Sequence, residues 1–180
     1  HGQIRRQRQM CIRDSLNDAY IYDWLIEKQL SEVDADILVK ISRGNIHNAR
    51  MLSSQSIEDI MNTIEKLTTT VIGKDPQKWR NFTSHYSRVF NSNQLDFDRQ
   101  LNLIIIWLQG ANKLRQNLVS GFERTGLHSR MVSFNEKFPN ANIYKIILCI
   151  EEVKSLARQN LYMPLILLNM LLDIQELIYE

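Results

Sequence analysis

The chain has few side chains whose types and spacing could support catalysis or metal binding. His47, His85 and His128 are far apart in the sequence, with no Cys, Asp or Glu at the spacing of metal ligands, and His1 is the first residue. Ser, His and Asp are present without a nucleophile elbow or another local signature of a hydrolase. No Gly-rich Walker A loop is present to hold nucleotide phosphates. The sequence therefore predicts no catalytic residue, no metal site and no cofactor.

Cysteine content and hydropathy place the chain in a broad class. Cys11 and Cys149 lack metal-ligand spacing and favour a reducing compartment. Cys149 falls within an apolar helical pattern, so we predict an unreactive core thiol. The longest apolar runs are far shorter than the ~20 residues that span a bilayer, and residues 1–15 lack the apolar core of a secretory signal. We therefore expect a cytoplasmic protein with neither a membrane partner nor a small-molecule substrate.

The N-terminal residues differ from the rest of the chain. Four arginines within residues 1–15 stand against one acid, Asp14, and the segment looks like a translated sequencing adaptor. We therefore treat it as a non-native or disordered tail. Setting it aside changes 22 basic and 20 acidic residues to 18 and 19, so the formal net charge of +2 becomes −1. For a native tail, an arm that binds phosphate backbones is the functional alternative.

Helical periodicity dominates the rest of the sequence and predicts an all-α fold. Only 6 Gly and 3 Pro occur, which argues against an all-β fold. The length allows one domain, or one small and one medium domain. Because Ser53–Ser56 forms a polar break, we divide the chain into a small helical unit at 16–54 and a helical bundle at 55–180.

Local signals predict where the helices begin and end. Ser31 is expected to cap a helix that ends at Gly44 in a left-handed conformation. Ser56 and Asp75, the latter followed by Pro76, are expected to cap the next two helices. The later elements are predicted as a turn at Asn91–Gln94, a long helix over Leu95–Gly121, a loop over Gly121–Ser129, a short helix over Met131–Phe138 and two helices joined at Asn160–Pro164.

Aromatic residues follow one another at helical spacing after Pro76. The row could stack nucleic-acid bases. Its spacing on one helix favours a core position instead. Its members are Trp79, Phe82, Tyr86 and Phe90.

Residues 142–180 have the densest apolar content in the chain. The last helix is apolar almost all round and leaves a narrow polar stripe of Asn169, Asp173 and Glu176. Such a helix must be covered on more than one side, so we expect a partner chain to cover part of it. The candidate interface residues are Leu103 and Trp107 on the long helix and Leu165, Leu168, Asn169 and Leu172 on the last helix.

The most informative pattern is the segment Ile37–Ala49. It reads Ile-Leu-Val-Lys-Ile-Ser-Arg-Gly-Asn-Ile-His-Asn-Ala and resembles the lid of clamp-loader AAA+ proteins. In that lid a helix ends in a Ser-x-Gly-Asn turn, here with Gly44 and Asn45, and the next helix begins a few residues before a small Ala. Upstream, Asp23–Leu25 resembles the opening helix of the lid.

A second stretch resembles the end of the clamp-loader collar domain, where an Asn separates two long helices and the second is rich in Leu. The resemblance covers about Leu16–Glu180 and implies that the ATPase module lies outside these residues. No enzymatic activity is therefore expected of them, although the parent complex is ATP-driven. The residues that carry the collar pattern are Phe134, Phe138, Asn142, Ile146, Ile150, Leu156, Asn160, Leu165 and Leu168.

One position bears on the type of subunit. In active clamp-loader ATPases, the lid helix after the Gly carries an Arg that contacts the nucleotide phosphates. The corresponding residue, three positions after Gly44, is His47. A neutral imidazole lacks the permanently charged fork that binds phosphate, and Arg43 and Arg50 lie out of register. The resemblance therefore favours the non-hydrolysing delta-prime subunits over the gamma/tau ATPases.

The resemblance implies a role in assembly. Collar domains of five related subunits pack into a ring, which holds the ATPase modules that place a sliding clamp on primed DNA for DNA polymerase III. The expected partners are the gamma/tau and delta subunits in a hetero-oligomer, with DNA contacted only indirectly through the complex. Two alternatives stay open: the lid and collar of a gamma/tau subunit, or a stand-alone α-helical interaction scaffold.

Overall fold

The computed structural model describes residues 17–159 and 161–179, so the tail assigned to residues 1–15 lies outside the described residues. Within them every regular element is helical and no strand occurs, which confirms the predicted all-α class. No helix in this part is long and apolar enough to cross a membrane. The elements are α1 (Asp18–Glu27), α2 (Glu32–Ser42), α3 (Ile46–Ser53), α4 (Ile57–Ile72), α5 (Pro76–Ser92), α6 (Gln94–Arg115), α7 (Gly126–Lys137), α8 (Ile143–Leu156), a 3₁₀ turn (Ala157–Gln159) and α9 (Met163–Tyr179).

Most of the helices begin at a polar residue that caps the first turn. Ser31 accepts a hydrogen bond from the backbone N–H of Asp34 at 3.2 Å, and Ser56 accepts one from Asp59 at 3.1 Å. The Asp75 carboxylate accepts from two N–H groups of α5. These side chains satisfy donors that have no partner inside the helix. The three caps predicted from the sequence are thereby confirmed.

The long helix is shorter than its periodicity predicts. It begins at Gln94 and ends at Arg115, so the predicted span to Gly121 is wrong at its C-terminal end. Asn117 adopts a left-handed conformation with φ 57°, and the N–H of Leu118 donates back to the carbonyl of Lys113 at 2.9 Å. This closing turn redirects the chain, as is common at helix C-termini. Leu118, which lies within the predicted helix but outside α6, is 54% exposed.

Two other boundaries also differ from the prediction. Helices α5 and α6 are separated by Asn93 alone, which caps α6 and replaces the predicted four-residue turn. Helix α7 begins at Gly126, inside the predicted loop. Thr125 and the carbonyl of Phe122 form a local turn before it. Compact turns of this kind give weaker sequence signals than a Gly or Pro.

The helices form two sets, and the extensive contacts lie within each set. Helices α1, α2 and α3 pack on one another, while α4 to α9 pack together with α6 at their centre. Every residue of the run Leu103–Leu108 on α6 is buried. At Gly110, an added Cβ would lie 2.8 Å from the Cε of Met131, so the glycine lets α7 approach α6 closely.

A polar cluster ties the end of α6 to the segment before α8. The Arg115 guanidinium donates to the carbonyls of Phe138 and Ala141 and, at 2.8 Å, to the Oδ1 of Asn135. In return, the Nδ2 of Asn135 donates to the carbonyl of Ala111 at 2.8 Å. Partial burial lowers the pKa of Arg115. The cluster thus adds side-chain donors, one of them charged, to carbonyls at the end of α6, at the end of α7 and in the segment before α8.

Replacing Arg115 should therefore destabilise the protein. We expect Arg115→Met to lower the free energy of unfolding by about 2–3 kcal/mol, because carbonyl oxygens and the Asn135 amide lose their charged donor. Urea denaturation followed by circular dichroism measures the change. Arg124→Met, at an exposed arginine, is the matched control and should change stability by no more than about 0.5 kcal/mol. Equal losses in the two variants would contradict the assigned role.

The turn before α7 is held by a carboxylate. The Glu123 carboxylate accepts from the N–H of Ser120 at 2.6 Å, from its hydroxyl at 2.8 Å and from the N–H of Gly121 at 3.1 Å. Desolvation acts to raise the pKa of Glu123, but the hydrogen bonds from the backbone and from Ser120 outweigh it and lower the pKa to about 2. Donors aimed at a carboxylate favour its charged form.

This pKa gives the protein a specific acid sensitivity. A depressed folded-state pKa adds stability above the ordinary pKa of 4.5, and that stability is lost as the pH falls toward 2. We expect Glu123→Gln to cost about 1 kcal/mol at pH 7, a modest figure because the side chain is exposed. The deficit should shrink below pH 4.5 when measured by urea denaturation, with Glu136→Gln on α7 as the matched control. A deficit that is constant between pH 7 and pH 2.5 would refute the mechanism.

Candidate functional site

The predicted lid turn joins α2 to α3 through two left-handed residues. Arg43 has φ 53° and Gly44 has φ 73°, which confirms the left-handed conformation expected of the glycine. Asn45 then caps α3, because its Oδ1 accepts from the N–H of His47 at 2.9 Å and of Asn48 at 3.2 Å. Both residues assigned to the turn therefore have a backbone role. Gly44 adopts the left-handed conformation that follows α2, and Asn45 caps the first turn of α3.

His47, the residue that the sequence resemblance predicts in place of a phosphate-contacting arginine, is exposed. His47 lies on the first turn of α3 with its side chain in solvent. Arg50 is one turn further on, and its Cζ lies 5.7 Å from the centroid of the Trp24 ring, a cation–π contact. Lys28 lies 5.9 Å from the same ring. The indole therefore holds Arg50 against α1.

The last helix presents apolar side chains to solvent along one side. Leu165 is 53% exposed, Leu168 is 39% exposed and Leu172 is 50% exposed, and Asn169 between them is also exposed. The opposite side of α9 is buried against α4, α5 and α8. We call Leu165, Leu168 and Leu172 the leucine stripe. Their spacing of three and four residues places them in line along the helix.

The other two candidate interface residues belong to the interior of the chain. Leu103 is 4% exposed and Trp107 is 2% exposed. The indole of Trp107 packs edge-on against the Phe134 ring at 5.4 Å between centroids. Neighbouring helices of the same chain cover both side chains, so neither lies at the surface where a partner would bind. The physical reason is the position of α6, which has helices on several sides.

A buried glutamine fixes which side of α9 faces the solvent. The Nε2 of Gln175 donates to the carbonyls of Val71 at 3.0 Å and of Ile72 at 3.1 Å, at the end of α4. Rotation of α9 would break these bonds and leave the Nε2 group without acceptors, which is costly. The sequence analysis missed this residue. In the sequence it could have been recognised as a single amide side chain that lies outside the polar stripe of an otherwise apolar helix.

Two further exposed apolar residues escaped the sequence analysis. Tyr144 is 67% exposed and Leu148 is 48% exposed, four residues apart on α8. They fall outside the row Ile143, Ile146 and Ile150 that faces the core. A helical wheel centred on that row would have placed them on the surface.

The aromatic row on α5 is part of the core, as its spacing favours. Phe82 and Tyr86 are buried, and the Trp79 indole N–H donates to the carbonyl of Gly73 at 2.9 Å. The Tyr86 hydroxyl donates to the Oε1 of Gln100 at 2.6 Å. Burial, with a smaller effect of nearby Asp96, raises the pKa of Tyr86. These rings are occupied by contacts inside the chain and are not arranged to stack bases.

Comparison with known proteins identified no relative: no family model, no curated protein and no solved structure matches this chain. Within the described residues, no three His, Cys, Asp or Glu side chains are grouped so that they could hold a metal ion.

Cys149 lies on α8, half-buried beside α9. Burial, followed by the negative charges of Asp173 and Glu152, raises the pKa of the thiol to about 11. Since the thiolate is the reactive form, such a thiol is poorly nucleophilic at neutral pH.

Alkylation should report this shift. In a Cys11→Ser variant, which leaves Cys149 as the only cysteine, we expect iodoacetamide at pH 8 to react at least about tenfold more slowly with the folded protein than with the protein in urea. The folded-state rate should climb steadily between pH 8 and pH 10, and mass spectrometry of quenched samples follows it. Equal rates for the folded and unfolded chains would show that neither burial nor charge protects the thiol.

Proposed function

We propose that this chain is a non-catalytic assembly part of a bacterial DNA polymerase III clamp loader, corresponding to the delta-prime subunit, and that it acts in the cytoplasm. Its residues 55–180 would join the collar ring beside gamma/tau and delta subunits. The observation that carries the proposal is the leucine stripe, three exposed leucines in line on a helix whose other side is fully engaged.

The spacing of the stripe indicates the shape of its partner. Leu165, Leu168 and Leu172 stand at i, i+3 and i+7, the spacing of the seam along which two helices pack. Half-exposed leucines would each gain on the order of 1 kcal/mol on burial. An apolar seam of this length suits another helix better than a charged or extended partner. Neighbouring collar domains, which resemble this one, would supply such a helix.

The lid turn supports the choice of subunit. His47 is exposed at the position where the active ATPases carry an arginine, and Arg50 is held on Trp24. No fixed guanidinium therefore replaces the missing arginine at this turn. A subunit of this kind contributes packing to the ring and leaves nucleotide contacts to its neighbours. DNA would be contacted only through the assembled complex, in keeping with the net charge of −1 outside residues 1–15.

The two alternative functions would involve different partners or a different number of copies. A gamma/tau subunit would use the same stripe, but several copies would enter each complex. A stand-alone helical scaffold would not recognise clamp-loader subunits at all. The number of copies in the complex, and the identity of the other subunits, therefore separate the three.

Polar substitutions in the stripe test the assignment. We expect the 180-residue chain, mixed with gamma/tau and delta from the same organism, to form a hetero-oligomer that contains one copy of it in native mass spectrometry. Leu168→Gln combined with Leu172→Gln should weaken that association by about 100-fold, because both side chains lose their apolar contacts. Folding stability should change little, since both leucines are substantially exposed.

The chain offers matched controls for this experiment. Leu95 on α6 is 77% exposed and Leu118 after α6 is 54% exposed, and neither belongs to α9. The double variant Leu95→Gln and Leu118→Gln should assemble like the unaltered chain. Equal weakening by the two double variants would remove the stripe from the interface. A chain that stays monomeric, or pairs only with itself, while the other subunits associate would favour the scaffold.

A further inference from the structure

A cleft of about 490 Å³ lies where α4 and α9 end beside α7. Its volume is within the range of small-molecule sites. Lys74, Arg130 and Lys137 line it, and no carboxylate of the described residues does. The cleft therefore has a positive lining in a protein whose overall charge is near zero.

Lys74 and Lys137 supply the positive charge of the cleft, because the third basic residue is already paired. Arg130 pairs with Glu65, at 2.5 Å between its guanidinium nitrogen and a carboxylate oxygen. The Nζ of Lys74 lies 3.4 Å from the centroid of the Tyr179 ring, and the Nζ of Lys137 lies 5.2 Å from that of Phe138. Cation–π contacts of this kind hold an ammonium over a ring without neutralising it.

Aromatic rings form one wall of the cleft, from the exposed Tyr179 to the buried Trp107. The centroids of Tyr179 and Phe138 are 5.3 Å apart, Phe138 is 5.4 Å from Phe134, and Phe134 is 5.4 Å from Trp107. All four residues line the cleft. Successive rings meet edge to face or tilted. An anion bound near the lysines would therefore have an apolar aromatic surface beside it, against which an attached ring could pack.

The innermost residue carries an unused hydrogen-bond donor. Trp107 is 2% exposed, and its indole N–H is buried without a partner in the part of the chain that the structure describes. A buried donor without an acceptor is uncommon in folded proteins and costs stability. By contrast, the Trp79 indole N–H has carbonyl partners. A ligand with an acceptor atom that reaches Trp107 would supply the missing partner.

We propose that this cleft binds a small anion carried on a flat apolar ring, such as an aryl phosphate or a nucleoside phosphate. The anionic group would bind between Lys74 and Lys137, and the ring would pack on Phe138 and Tyr179. Two lysines that form no ion pair within the described residues, in a cleft of this size, suit a small molecule better than a polyanion. The proposal is independent of the assembly role, because none of these residues belongs to the leucine stripe.

Nuclear magnetic resonance of the 180-residue protein tests the proposal with phenyl phosphate as the probe. The chain has three tryptophans, so three indole N–H resonances serve as reporters, assigned with Trp24→Phe and Trp79→Phe. We expect the Trp107 resonance to move saturably, with half-saturation at or below about 2 mM, while that of Trp24 stays in place. Inorganic phosphate lacks the ring and benzyl alcohol lacks the phosphate. Each should therefore bind at least about tenfold more weakly than phenyl phosphate.

Charge variants complete the test. Lys74→Gln combined with Lys137→Gln should weaken phenyl phosphate binding by about tenfold, whereas Lys145→Gln, at an exposed lysine on α8, should leave it unchanged. The absence of a saturable shift at Trp107 would overturn the proposal. So would binding that survives the double substitution, or inorganic phosphate that binds as tightly as the probe. None of these results depends on clamp-loader subunits, so failure here leaves the assembly role untouched.

Discussion

Burial of α6 is the constraint that the other helices of residues 55–180 satisfy. Six consecutive apolar residues, Leu103–Leu108, point in every direction around the helix axis, so a single covering layer cannot remove them from water. Helices α4, α5, α7 and α8 pack on α6 and together enclose it. Helix α9 packs instead on α4, α5 and α8, one layer further out. An apolar helix in an outer layer has a side that the other described helices do not cover, and the leucine stripe lies there.

Buried polar groups give this apolar packing a defined geometry. Apolar contacts are not directional and tolerate rotation of a helix about its axis. Gln175 restricts that freedom for α9 by bonding to the end of α4, and Arg115 with Asn135 does so where α6, α7 and α8 meet. Hydrogen bonds in a partly buried setting are costly to leave unmade, so they discriminate between alternative packings that bury similar areas. The direction in which the leucine stripe faces therefore depends on Gln175.

The sequence predicts those features that local chemistry decides. A cap at Ser31, Ser56 or Asp75 needs only a side-chain oxygen and the first turn of the same helix, and each forms as expected. Periodicity likewise identifies the all-α class. It cannot decide which neighbour covers an apolar side chain, because a helix inside its own chain and a helix at an interface have the same pattern. Trp107 and Leu168 therefore look alike in the sequence, and only the layer in which each helix lies separates core from surface. The C-terminal end of α6 was mislocated for a related reason, since the turn through Asn117 competes with continued helical periodicity.

The leucine stripe and the cleft at Tyr179 would bind their partners through different physical forces. The leucine stripe occupies the first part of the helix and bears apolar side chains, so association there would depend on removing apolar area from water. Such association is accompanied by a negative heat-capacity change and responds weakly to salt. The cleft at Tyr179, at the end of the same helix, has two ammonium groups over aromatic rings, and binding there would weaken as ionic strength rises. Because Lys74 and Lys137 come from the segment after α4 and from α7, the charge of the cleft exists only once those elements have packed beside α9. The stripe needs only a correctly rotated α9, whereas the cleft needs the whole packing around α6.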